Sequence, residues 1–387
     1  MSVTAPTPLG LGAGARPARV ATRLAFFVAG FANSAWAPLV PFAKRHAGID
    51  DASLGLLLLC LGLGSIVSMP LAGAASARFG CRTMIVGSGL VAALMLPLLA
   101  TLGVPWALAL ALALFGAGIG GIDVAMNIQA IVVERAAGVP LMSGFHGLFS
   151  VGGIAGAGGT ALLLWLGLPP LPAACCVLAA SAVLLLLAAP ASLPTGRAGQ
   201  GGGASFAIPR GIVLLIGAMA FVCFLAEGAA LDWSAVFLST VIGTALSLGG
   251  AGYAAFATAM TMGRLTGDRF VAAVGHRRAV LLGGVVAAAG FCVVAWAAST
   301  VAALLGFVLV GAGCANIVPV LFSATGRQTA MAESVAVPAV TTLGYAGILV
   351  GPAAIGFLAH AATLRVAFLV LAALLLVVGA ARRRLPA

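Results

Sequence analysis

The sequence predicts an all-α membrane protein with twelve transmembrane helices in two six-helix bundles. Three observations carry this. Hydrophobic residues make up 63% of the 387 and charged residues only 7%. The apolar residues fall into twelve runs, each near the roughly 20 residues a helix needs to cross a hydrocarbon core. A polar, Gly-rich stretch at 191–210 divides those runs six and six. Irregular backbone facing lipid would leave amides unpaired, so every run reads as a helix. The short alternating segments of a transmembrane barrel are missing.

In chain order, a polar N-terminal tail (1–22) precedes the first bundle (23–190), with runs at 24–43, 53–75, 83–101, 106–133, 142–166 and 173–190. The first run is full length with no small-residue cleavage site after it, so it reads as a retained helix and not as a signal peptide. Asp50 and Asp51 stand before the second run as helix caps. The stretch 191–210, ASLPTGRAGQGGGASFAIPR, is a flexible linker by composition. The second bundle (211–381) holds runs at 211–237, 248–264, 279–298, 301–323, 335–358 and 363–381, and a tail (382–387) follows.

Charge sets the orientation. Sixteen of the nineteen Lys and Arg residues fall in alternate gaps; only Lys44, Arg45 and Arg365 fall in the others. The positive-inside rule then places the sixteen, and both termini, in the cytoplasm of a bacterial cell bounded by this inner membrane. The net charge of +11 is thus a topology signal. Nucleic-acid binding is not expected, because no soluble basic domain exists to hold a duplex. The seven cysteines are odd in number and lack metal-ligand spacing, so they read as small packing residues. No P-loop, dinucleotide fingerprint, H-E-x-x-H or G-x-S-x-G occurs, so the chain does not read as an enzyme and no cofactor is expected.

The halves echo each other. At an offset of 195, Gly116-Ala117-Gly118 matches Gly311-Ala312-Gly313, and Gly152/Gly156 matches Gly347/Gly351. The latter pairs are G-x-x-x-G, a spacing that lets helices approach closely. Ala77-Arg78 matches Asp268-Arg269 near an offset of 191, and Trp36 matches Trp233 at 197. Parallel six-span repeats belong to a transporter architecture in which two bundles rock about a midplane site.

These residues resemble the major facilitator superfamily, whose loop signature between spans two and three is G-x-x-x-D-R-x-G-R-R. The second-half copy runs Gly263-Arg264-Leu265-Thr266-Gly267-Asp268-Arg269 and ends Gly275-His276-Arg277-Arg278; the first-half copy is degraded, with Ala77 at its acidic position before Arg78. The resemblance implies an inner latch between bundles, with its weight on Arg264 and Asp268 and with Arg269 in the gating set. Glu227-Gly228-Ala229-Ala230-Leu231-Asp232-Trp233-Ser234, Asp123-x-x-x-Asn127 and Gly144-Phe145-His146-Gly147-Leu148-Phe149-Ser150 narrow it to a subgroup similar to YbjJ and MosC, and more distantly to fucose permeases. That resemblance implies small polar substrates.

Ionisable groups inside apolar runs are costly and usually face a cavity or a partner. Asp123 precedes Glu134, at the cytoplasmic end of its run, by a rise of roughly 16 Å, which places it near the midplane. Asp123, Asn127 and Glu134 fall on one face, making Asp123 a candidate proton carrier; a structural Asp bonded to a neighbouring helix is the alternative. His146 shares a face with Ser150 and either binds a hydroxyl-rich solute or packs. Glu227 and Asp232 lie roughly 140° apart around a helix. Either Asp232 is interfacial and holds an outer gate, or the helix breaks near Gly228. Glu227 is the second proton-coupling candidate. Trp233 is an interfacial anchor or stacks on a solute. Asn33, Trp36, Asn316 and Tyr345 complete the substrate-binding candidates, and Arg78 joins the gating set. Glu134 and Glu333, beside Arg135 and Arg327, read as interfacial ion pairs or gate contacts.

The expected activity is proton-coupled secondary transport of a small polar solute, sugar-like, polyol-like or amino-polyol, by a monomer. Efflux of amphipathic or cationic compounds is the alternative.

Overall fold

The computed structural model describes residues 15–194, 208–245, 248 and 250–386, with the backbone but not the side chains of 15, 51 and 52. Most of the sequence-assigned linker and the first part of the N-terminal tail therefore lie outside the described residues. The described residues contain helices and turns and no strand. In order these are α1 (Ala15–Ala35), α2 (Val40–Ala47), α3 (Asp51–Thr101), α4 (Pro105–Ala137), α5 (Met142–Trp165) and α6 (Pro170–Ala188), then α7 (Ile212–Val236), α8 (Ala251–Val274), α9 (His276–Trp296), α10 (Thr300–Cys314), α11 (Ile317–Arg327), α12 (Glu333–Ala361) and α13 (Leu364–Ala381). Side-chain oxygens start several of them: Asp50 accepts from Ser53 N–H at 2.8 Å, and Thr363 from Val366 N–H at 3.2 Å. Ten helical stretches are long and apolar enough to cross a membrane. That count takes α3 as one and omits α8. The twelve-span reading counts the two legs of α3 separately and adds α8.

Gly80 is the kink inside α3, with φ 86° and ψ 157°, and Gly275 joins α8 to α9 with φ 82° and ψ 153°. Both conformations favour glycine, because an L side chain at positive φ clashes with its own backbone. The two glycines are 195 residues apart. So are the helix contacts around them. A Cβ on Gly116 would lie 2.0 Å from Leu61 O, and one on Gly311 would lie 2.1 Å from Phe256 O. Gly152 approaches Phe27 O in the same way, and Gly347 approaches Phe221 O. In lipid, where apolar side chains gain little by leaving the solvent, such close backbone approach is what holds helices together.

The repeat extends to the loops. Arg82 Nε and Nη2 donate to Ser192 O and Pro190 O at 3.1 and 2.8 Å, tying the start of α3's second leg to the end of α6. Arg277, 195 positions on, donates from Nε and Nη2 to Leu385 O at 3.1 and 2.6 Å, tying α9 to the end of α13. This shared offset corrects the 191 inferred for the loop: Asp268 corresponds to Gly73 in the first half, not to Ala77. Matching acid to gap by sequence motif had slipped the register by one helical turn.

Large apolar side chains such as Leu56, Val67, Leu186 and Phe357 are exposed around the outside, the surface a bilayer would cover. Between the bundles the described hydrogen bonds run from the centre to the end that carries the basic loops. At that end Arg135 of α4 pairs with Glu333 of α12 and donates to Gly326 O of α11. At the opposite end no hydrogen bond joins the bundles among the described residues. The bundles are therefore closed at the basic end.

Candidate functional site

Arg264 enters the centre from α8 and is 6% exposed. Its Nη2 lies 3.3 Å from Glu227 Oε1 of α7, its Nη1 donates to Ser150 Oγ of α5 at 3.1 Å, and its Nε donates to Ala315 O at 3.4 Å. One guanidinium thus ties α8 to α7 and to the α10–α11 turn and reaches a hydroxyl of the other half. Its planar fork of five donors suits this, where a lysine would offer one point charge. The carbonyl it meets lies between α10 and α11, where the chain turns at Ala315 and Asn316 before helix resumes at Ile317. Asn316 donates from Nδ2 to Gly263 O at 3.2 Å, while its Oδ1 is buried without a partner.

His146 lies one turn from Ser150 on α5 and is 9% exposed. Its ring is flanked by Phe26 of α1 at 5.1 Å and Phe322 of α11 at 5.5 Å, and its Nε2 is buried without a partner. Asp123 on α4 is 8% exposed. Its carboxylate receives Asn127 Nδ2 at 3.4 Å, and the same amide donates to Asp123 O at 2.9 Å. No cation is in ion-pair distance of Asp123 among the described residues. The centre therefore contains one neutralised acid, Glu227, and one acid held only by an amide, Asp123.

The other sequence candidates scatter. Asn33 is half-buried on α1. Trp36 is buried in the packing core of the first bundle with Leu39, Leu96 and Phe115. Trp233 packs over Gly356 of α12, where an added Cβ would lie 3.2 Å from its Cζ2, and Tyr345 of α12 lies 6.0 Å from Phe224 of α7 between ring centroids. Asp232 is exposed. α7 runs unbroken through Gly228; its irregularity comes later, as a π-turn at Phe237–Val241. Of the two open readings for this helix, the structure shows the unbroken one. Arg78 and Arg269 are exposed on the basic end, with Arg78 stacked 5.0 Å from the Phe79 ring.

Two carboxylates meet the N-terminus of α5 at that end. Glu134 accepts from Leu141 N–H and Met142 N–H, both at 2.8 Å, and Ser323 Oγ of the second half donates to its other oxygen. Asp268 accepts from Gly144 N–H at 3.0 Å across the bundle interface. Both match the positive end of a helix dipole. Asp268 and Arg264 therefore act at separate places: Asp268 at the closed end, Arg264 in the centre. Ser323 went unnoticed in the sequence, since a lone serine in an apolar run carries no signal.

The sequence pattern that defines the Major Facilitator Superfamily matches residues 23–343. The chain belongs to that superfamily. An uncharacterised MFS-type transporter of Yersinia pestis is 54% identical over 94% of this chain and 95% of its own length. The membrane protein MosC of Rhizobium meliloti is 31% identical over 92% of this chain and 87% of its own. Among solved structures, the E. coli fucose:proton symporter FucP superposes with a TM-score of 0.77 at 17% identity, covering 96% of this chain and 99% of that one. A structure of FucP in the outward conformation gives 0.82 at 16% identity over the same shares. The suspected superfamily and the all-helical membrane fold are thereby shown, and the protein is a multi-pass membrane transporter of the MFS type.

Proposed function

We propose that this transporter moves a small polar solute, sugar-like, polyol-like or amino-polyol, across the bacterial inner membrane by alternating access coupled to protons. The observation that carries the reading is the unequal state of the two central acids. Glu227 is neutralised by Arg264, whereas the Asp123 carboxylate is hydrogen-bonded only by Asn127 among the described residues. Asp123 is the proton carrier in this reading. Arg264, Glu227, Ser150 and His146 form the solute-facing polar set. The name of the structural neighbour FucP, a fucose:proton symporter, supports the substrate class and the coupling ion.

The bundles 23–190 and 211–381 rock against each other about this centre, with 191–210 as the cytoplasmic linker. The basic end is cytoplasmic in this reading, in keeping with the positive-inside rule, and the likeness to FucP in the outward conformation supports an outward-facing state. Opening the inner side breaks Arg264–Ser150, Asp268–Gly144 and Arg135–Glu333 while the contacts inside each bundle persist.

The test is uptake in proteoliposomes, first screening sugars, polyols and amino-sugars for thermal stabilisation. A ligand at 100 times its Kd should stabilise the protein by about 2.7 kcal/mol. A stabilising solute should accumulate when an inward proton gradient is imposed and stop when the gradient is collapsed. Accumulation indifferent to the gradient would overturn the coupling.

A further inference from the structure

We infer that the closed basic end contains a binding site for a phosphate-class oxyanion, separate from the central cavity. A cleft of about 200 Å³ opens there between the halves, walled by α4, the α4–α5 turn, the start of α9 and the end of α11. Two guanidinium side chains, Arg135 and Arg327, line it together with the His276 imidazole. Arg327 carries the argument. Its Nη1 is taken by His276 Nε2 at 3.1 Å, but Nε and Nη2 are buried with no partner. Those two N–H groups lie on one edge of the guanidinium and point the same way, the geometry that grips an oxyanion side-on with two parallel hydrogen bonds. Orphaned buried donors of this kind are uncommon and call for a partner.

The one acid in the cleft does not supply it. Glu134 has its oxygens committed to Leu141 N–H, Met142 N–H and Ser323 Oγ. Glu333, nearby on α12, pairs with Arg135 through Oε1 and leaves Oε2 buried without a partner. An oxyanion on Arg327 would sit between a side chain of the first half, Arg135, and two of the second, His276 and Arg327. Its site is complete only while this end is closed, so a bound anion favours the closed-end conformation by mass action. The inference rests on the geometry of the cleft and not on the solute reading. Two sources share the chemistry, a soluble phosphate compound and the phosphate of an anionic lipid headgroup.

The experiment measures thermal unfolding of the full chain in nanodiscs of zwitterionic lipid, titrated with inorganic phosphate against chloride at matched ionic strength. A saturable upward shift is expected, abolished in Arg327→Gln and weakened at least tenfold in apparent affinity in Arg327→Lys, which keeps the charge and loses the fork. A parallel arm replaces the lipid with phosphatidylglycerol and omits phosphate. A shift confined to that arm, and lost in Arg327→Gln, assigns the site to a headgroup and supports the shared chemistry. No saturable shift in either arm, or one that Arg327→Gln leaves unchanged, overturns the proposal. Arg327→Lys serves as the readout if Arg327→Gln does not fold.

Discussion

Arg264 and Glu227 sit 3.3 Å apart in the centre of the molecule, on adjacent helices of the same half, and only Arg264 also reaches the other half, through Ser150. Removing one member of a buried pair leaves the other charge uncompensated, at a cost of about 3–5 kcal/mol. Glu227→Gln and Arg264→Gln should each lower thermal stability strongly. The double variant should be more stable than either single one. Denaturation midpoints of the three variants check this, and additive losses would show that the pair is not coupled.

Asp123 has no cationic partner among the described residues, so neutralising it removes a charge without stranding another. Asp123→Asn should fold like the parent, abolish uphill accumulation of the solute and retain counterflow exchange. Paired accumulation and counterflow assays separate these outcomes. Accumulation at the parental level would remove Asp123 from the coupling step.

The two halves should respond alike to the same intrusion. A methyl group on Gly116 or Gly311 would press on the backbone of the neighbouring helix at 2.0 and 2.1 Å. Gly116→Ala and Gly311→Ala should each destabilise by about 1–3 kcal/mol. Melting temperatures that differ widely between them would argue against equivalent packing.

Asp268 lies beyond the apolar run of α8, and burial at the closed end pushes its carboxyl up to about 6, against a hydrogen bond from Gly144 that pulls it down. When that end opens and the group is solvated, it should return toward the ordinary carboxylate range near about 3.9. The closed conformation thus binds the proton more tightly, so linkage favours it as pH falls below about 6 and opposes it as pH rises through about 6. Labelling of the basic-end interface by a thiol reagent, at introduced cysteines and corrected for thiolate fraction, should increase from pH 5 to 7.5. Asp268→Asn should flatten the profile. A parental profile in that variant would place the dependence elsewhere.

Gly144 gives a steric test of the same contact. Its added Cβ would lie 2.4 Å from Asp268 Oδ2. Gly144→Ala should push the closed ends apart and raise basic-end labelling at neutral pH. Unchanged labelling would mean the contact yields without opening.

Much of this was legible in the sequence because membranes impose one-dimensional rules. Apolar run length marks the helices, the cations mark which gaps share a side, and glycine spacing shows where backbones approach. Gly116 with Gly311, and Gly152 with Gly347, revealed the repeat because close packing tolerates only the smallest residue at those points. The loop motif misled by one turn, since Asp268 was matched by its neighbours in sequence and not by the Gly80 and Gly275 turns that set the register.

The sequence by itself determined the superfamily resemblance, the spans, the two-fold repeat and the identity of the acids inside the apolar runs, because these depend on local composition and on period. Only the tertiary structure decided the partners. Arg264 meets Glu227 and Ser150 across sequence separations of 37 and 114, and Asp268 meets Gly144 across 124. Helix rotation and tilt bring those groups together, and both are set by the packing of many neighbours at once, which no stretch of the chain encodes alone.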